Sequence, residues 1–107
     1  MAGFSVTRRI DAPVDEVFAV FADFEHAAER IDGIRELDVL TDGPIGAGSR
    51  FRETRVMYGK EATEEMEITA FEPDRSYTVE CTSHGAHFTS VYTFEPEHGG
   101  TNVTLSF

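Results

Sequence analysis

Polar and apolar residues change their period once along this chain. Val14, Val17, Phe18 and Phe21 fall at i, i+3, i+4 and i+7, one face of a helix, whereas from Ile34 to Phe107 the alternation has a period of two, the mark of half-buried strands. The alternation is clearest in residues 75–95, RSYTVECTSHGAHFTSVYTFE. Gly85-Ala86, set between runs of Thr, Val, Tyr and Phe, predicts a two-residue hairpin turn with Gly first, as a type II′ turn requires. His84 is then expected opposite His87, Ser83 opposite Phe88, Cys81 opposite Ser90, Val79 opposite Tyr92 and Tyr77 opposite Phe94. These residues share an apolar, aromatic face, while Thr78, Glu80, Thr82, His84, His87, Thr89, Val91 and Thr93 make a mostly polar one.

The remaining elements follow from the same two periods. Phe4, Val6 and Ile10 alternate with Ser5, Thr7 and Arg9 in a first strand over 3–10, which Asp11-Ala12-Pro13 ends. Pro13 suits the first helical position, and Asp15 and Glu16 suit the positive end of the helix dipole. A second short helix is expected over 24–31, stopped by Gly33. Strands follow over 34–40, 50–57 and 61–71, the last putting Ala62, Glu64, Met66, Ile68 and Ala70 on the aromatic face through a link at Glu72-Pro73-Asp74-Arg75. Glu97-His98-Gly99-Gly100 turns the chain into a last strand over 101–107, with Val103, Leu105 and Phe107 inward. One strand, two helices and six meandering strands describe an α+β antiparallel sheet with helices on one side.

At 107 residues the chain makes one domain with one core. A net charge of -11 disfavours nucleic acid and anionic membranes as partners, and no run is long and apolar enough to be a membrane span or signal peptide. A single cysteine, Cys81, excludes an intrachain disulfide, so the expected setting is cytoplasmic.

Ala12-Pro13 and Val17-Phe18 opening the helix, Gly46 and Gly48 before a strand starting near Phe51, Phe71-Glu72-Pro73-Asp74-Arg75, and Phe94-Glu95-Pro96 followed by Gly99-Gly100-Thr101 resemble the START/Bet v 1-like (SRPBCC) superfamily. The likeness is nearest to bacterial polyketide cyclase/dehydrase-like proteins and covers essentially the whole chain. It implies a helix-grip fold, in which a curved antiparallel sheet wraps a long C-terminal helix and leaves a cavity for a lipid-like, aromatic or polyketide ligand. This sequence departs from that pattern because no such helix follows the last strand. Residues 1–107 are therefore expected to be one domain truncated at its C-terminal end, or one whose open sheet face a partner or second copy covers, as in a homodimer.

The residues that carry candidate chemistry lie on the inward face. With a turn at Tyr58-Gly59 or Gly59-Lys60, Phe51, Glu53, Arg55 and Met57 share that face with Ala62, Glu64 and Met66, and the second turn sets Arg55 across from Glu64. Glu53, Glu64 and Arg55 are the catalytic candidates, as acid or base on a ketone-bearing ligand with Tyr77 and Tyr92 donating hydroxyls. The expected ligand wall is Phe51, Met57, Met66, Tyr77, Val79, Cys81, Phe88, Tyr92 and Phe94. No metal site is expected, because Cys81 points inward while His84 and His87 point outward, and no cofactor is implied. Gly43 to Gly48 lacks the lysine and following helix of a phosphate loop, and no nucleophile stands beside a base, so no hydrolase triad is drawn. Binding of a small hydrophobic ligand is the leading function. A cyclase or dehydratase using the inward carboxylates, and an interaction module working through the open sheet face, are the alternatives.

Overall fold

The computed structural model describes residues 3–26, 29, 34–83 and 85–107. Strands β1 (Ser5–Ile10), β2 (Ile34–Val39), β3 (Arg50–Met57), β4 (Lys60–Glu72), β5 (Ser76–Ser83), β6 (Ala86–Glu97) and β7 (Gly100–Ser106) form one antiparallel sheet in the order β1-β7-β6-β5-β4-β3-β2. Helix α1 (Val14–Phe21) and a 3-10 turn (Phe24–His26) lie on its inner face. The expected α+β sheet is thus present. Pro13 is the N-cap of α1 rather than its first residue, and Asp15 and Glu16 occupy the first turn. Of the expected second helix only the 3-10 turn and Glu29 are described; Ala27, Ala28, Arg30 and Ile31 lie outside the described residues.

Two registers differ from those the sequence predicts, and both differences have a local cause. In the β5–β6 hairpin Ser83 pairs with Ala86, Val79 with Ser90 and Tyr77 with Tyr92, so the turn lies one residue earlier and Gly85 is its second residue, with φ of 80°. Gly serves either turn, but the second place in a type I′ turn also demands positive φ. The pairing slips by two residues and the faces survive, because the side-chain period is itself two. Between β4 and β5 a bulge falls at Thr69, between the pairs Ile68↔Val79 and Ala70↔Thr78. The extra residue reverses the alternation beyond it. Phe71 therefore joins Tyr77 on the inner face, and Ala70, expected inward, is exposed.

The core forms where α1 crosses the sheet. Ile68 is fully buried and belongs to one core cluster with Phe51, Tyr77, Phe94 and Val103 of the sheet and Val17 and Phe18 of α1. Phe18 meets Phe71, Tyr77 and Phe94 edge-on, at ring-centroid distances of 5.4, 6.1 and 5.0 Å. Phe24 stacks on Phe51 at 4.8 Å, which holds the 3-10 turn down. Thr101, also fully buried, donates its hydroxyl to the Ala12 carbonyl at 2.8 Å and fastens the β1–α1 corner to β7. On the outer face Thr54 and Thr63, and Thr7 and Thr104, pair hydroxyl to hydroxyl across neighbouring strands.

Ile68→Ala is expected to cost about 2–5 kcal/mol, because the side chain is fully buried and its loss leaves a cavity in the core. Val56→Ala, on the partly exposed outer side, should change stability by no more than about 0.5 kcal/mol. Urea unfolding of the two variants checks this, and equal losses would contradict the assignment of the faces.

Candidate functional site

Helix α1 fills only one end of the inner face. Beyond Phe21 a cavity of about 550 Å³ remains between α1, the 3-10 turn and the sheet from β2 to β7. Val20, Phe21 and Phe24 form its roof, and Phe51, Met66 and Val79 its floor. The wall toward β2 is Ile34 and Leu37, and that toward β7 is Leu105 and Phe107. Glu53, Arg55, Ser90, Tyr77, Tyr92 and Asp23 bring polar atoms to an otherwise apolar lining. A second depression of about 380 Å³ involves Arg50, Glu65, Glu67, Glu80 and His87 and is polar.

The charges on the cavity floor are placed by one turn. Tyr58 and Gly59 both have positive φ, 52° and 76°, and close β3 onto β4 as a type I′ turn. Glu53 therefore faces Glu64, and Arg55 faces Ala62. The cross-strand Arg55–Glu64 pair expected from a Gly59-Lys60 turn is not formed. Instead Arg55 reaches along its own strand, and its Nε donates to Glu53 Oε1. Glu64 accepts the Cys81 thiol at 3.0 Å. Each inward carboxylate thus has its own donor, as burial requires: Glu53 is 6% exposed.

Tyr77 and Tyr92 stack at 4.7 Å with their ring planes 19° apart. The Tyr77 hydroxyl donates toward the Phe21 carbonyl at 3.5 Å, whereas the Tyr92 hydroxyl has no protein acceptor among the described residues. Burial, with the neighbouring Tyr92, pushes the Tyr77 pKa well above the ordinary tyrosine value. Burial also raises that of Tyr92, and the Glu53 carboxylate adds to it against a smaller opposing effect of Arg55. Both are O–H donors throughout the neutral range. Cys81 is pushed up to about 11, first by burial and then by its bond to Glu64.

Of the sequence-predicted residues, Phe51, Glu53, Arg55, Met66, Tyr77, Val79 and Tyr92 line this one cavity. Phe94 is instead core beneath α1, Cys81 and Glu64 face each other outside the lining, and Phe88 is 56% exposed near the end of its hairpin. The Met57 side chain lies outside the described part of the structure. Val20, Phe21, Asp23, Phe24, Ile34, Leu37, Ser90, Leu105 and Phe107 also line the cavity and were not among the predicted contacts. Ser90, Leu105 and Phe107 carried a signal, since all three sit in the inward row. The approach of the 3-10 turn to β2 carried none. Among the described residues no three of His, Cys, Asp and Glu are grouped to hold a metal. His87 is on the outer face, bound to Glu80 at 2.7 Å and to Thr82 at 3.0 Å, and His84 lies outside the described residues.

Over residues 1–107 the sequence matches the family model for polyketide cyclase / dehydrase and lipid transport. The chain belongs to that family. A search of curated proteins gave no match to this cyclase/dehydrase-family chain. Solved structures resemble it closely in shape. Ara h 8.0201 is 18% identical with a TM-score of 0.81, the match covering 97% of this chain and 73% of that one. TTHA0849 from Thermus thermophilus is 23% identical with a TM-score of 0.83, covering 97% and 70%. StfQ, a di-domain ARO/CYC of the steffimycin biosynthetic pathway, is 14% identical with a TM-score of 0.85, covering 98% and 36%. At these identities the likeness establishes the fold, which is the Bet v 1-like helix-grip sheet; the longest helix among the described residues of this family member is α1, with 8 residues. None of its described helices is long and apolar enough to cross a membrane.

At pH 8 Cys81 should be alkylated by iodoacetamide about a hundredfold more slowly in the native protein than in urea, because its thiolate fraction is that much smaller. Glu64→Gln, which removes the charge that disfavours the thiolate, should recover part of that rate. Mass spectrometry of the timed reaction reads both, and equal native and unfolded rates would contradict the burial and pairing of Cys81.

Proposed function

We propose that this protein binds a small hydrophobic molecule, lipid, aromatic or polyketide-like, in the cavity between α1 and the sheet. The observation that carries the reading is the cavity itself. Its volume, about 550 Å³, suits a ligand of several fused rings or a medium acyl chain, and its apolar walls carry a few convergent polar groups. Membership of a family that includes cyclases, dehydrases and lipid carriers supports the same ligand class. Residues 1–107 act in this reading as one ligand-binding domain, in a reducing compartment such as the cytoplasm where a free Cys81 persists.

Binding is preferred to acid/base catalysis because the two inward carboxylates do not face the cavity as a pair. Glu53 is held by Arg55, and Glu64 is turned to the Cys81 thiol, away from the cavity lining. The exposure of Phe4, Val6 and Phe107 is the observation behind a protein-interaction role; the Phe4 and Phe107 rings meet at 4.7 Å at the β1 side, and of the three only Phe107 also lines the cavity.

N-phenyl-1-naphthylamine, an uncharged probe that fluoresces in apolar surroundings, is expected to bind saturably with micromolar affinity. Ser90 is small and lines the cavity opposite Val79, so Ser90→Trp should place an indole in the ligand space and weaken the probe by about tenfold or more. Fluorescence titration decides it. No saturable binding to the wild type, or unchanged binding to a folded Ser90→Trp variant, would overturn the proposal.

A further inference from the structure

The polar groups of the cavity restrict the ligand's head group. Resting on the binding role proposed above, we propose that Glu53 and Arg55 act together as a dipolar anchor. The cavity then takes an uncharged head group that presents a hydrogen-bond donor beside an acceptor, such as a carboxamide or a hydroxy-ketone, and rejects carboxylates.

The argument starts from how the pair is made. Glu53 is 6% exposed and lines the cavity, and only its Oε1 is engaged, by Arg55 Nε. Glu53 Oε2 accepts no hydrogen bond from the described residues, so it is left to receive a donor. The guanidinium of Arg55 also lines the cavity and keeps its terminal N–H groups, so it is left to give one. The Tyr92 hydroxyl, free of protein acceptors among the described residues, is a second donor on the same floor. An acceptor and two donors therefore face the ligand around a pair whose net charge is zero.

Charge decides what else is kept out. Besides Glu53, a second carboxylate, Asp23, bound to His26 at 2.9 Å, lines the cavity. The one guanidinium in the described lining is already neutralised by Glu53. An entering carboxylate would lose its water beside Glu53 and Asp23 with no uncompensated cation among the described lining residues to receive it. An entering ammonium would compete with Arg55 for Glu53 and leave the guanidinium unpaired. A neutral donor and acceptor completes the pair and displaces neither partner.

The experiment compares two ligands with the same apolar body, 2-naphthamide and 2-naphthoate, by displacement of N-phenyl-1-naphthylamine at pH 7.5. Wild type is expected to bind the amide about tenfold more tightly or better, because setting like charges side by side is costly. Glu53→Gln preserves shape but frees the Arg55 charge, so it should strengthen naphthoate about tenfold and erase or invert the preference. Arg55→Gln should widen the preference against naphthoate, which gives a second reading if Glu53→Gln does not fold. Naphthoate binding as tightly as the amide in wild type, or an unmoved ratio in either folded variant, would overturn the anchor while the probe itself still bound. Failure of N-phenyl-1-naphthylamine to bind would instead remove the cavity's binding role, and the anchor with it.

Discussion

The edge-on packing of Phe18 against Phe71, Tyr77 and Phe94 decides where everything else on the inner face can go. A helix of 8 residues is only about 12 Å long, too short to cover a seven-stranded sheet. Phe18 pins it at the end where β4 turns into β5 and β6 into β7. The opposite end, toward the turns at Tyr58-Gly59 and Gly85, is left uncovered, and there the inner face becomes a cavity. The bulge at Thr69 belongs to the same arrangement, because without it Phe71 would point outward and Phe18 would lose one of its three rings.

The cavity floor carries a conflict that the structure resolves locally. Like charges directly opposite on neighbouring strands destabilise a sheet, and Glu53 faces Glu64. Each is relieved by a separate donor, the guanidinium two residues along β3 and the thiol on β5. This arrangement keeps one carboxylate toward the ligand space and turns the other away. The two acidic residues, equivalent in the sequence pattern, are therefore not equivalent in chemistry.

The sequence pattern revealed the faces but not all of the pairings. Period-two alternation identified six strands and the inward row of Phe51, Tyr77, Tyr92, Phe94, Val103 and Leu105, because burial on one face forces it. The β5–β6 turn was misplaced by one residue since Gly85 fits either place in a two-residue loop, and a slip of two leaves no trace in hydrophobicity. The bulge at Thr69 was invisible, for a threonine in a strand carries no mark of it. Its effect reached the core through Ala70 and Phe71. At the site, the clustering of Glu53 and Arg55 with the aromatic wall was legible, whereas the partner of Arg55 depended on a choice of turn that both candidate dipeptides allowed. Phe94 and Phe88, expected in the ligand wall, lie outside the cavity lining for a different reason: alternation tells which side a residue is on, not whether α1 covers it or the strand end leaves it bare.

The pairing of β1 with β7 has a consequence for how the chain assembles. Every other neighbouring pair in the sheet joins strands adjacent in sequence, so most of the sheet can zip from hairpin to hairpin. β1 is the exception, and Thr7 meets Thr104 across 97 residues. Closing that loop carries the largest chain-entropy cost in the sheet, although the cost grows only with the logarithm of its length. On the ribosome the first strand made is the one that waits longest for its partner. Its backbone edge and its alternating apolar residues stay unpaired until residues 100–106 have emerged, when the buried Thr101 locks the Ala12 corner in place.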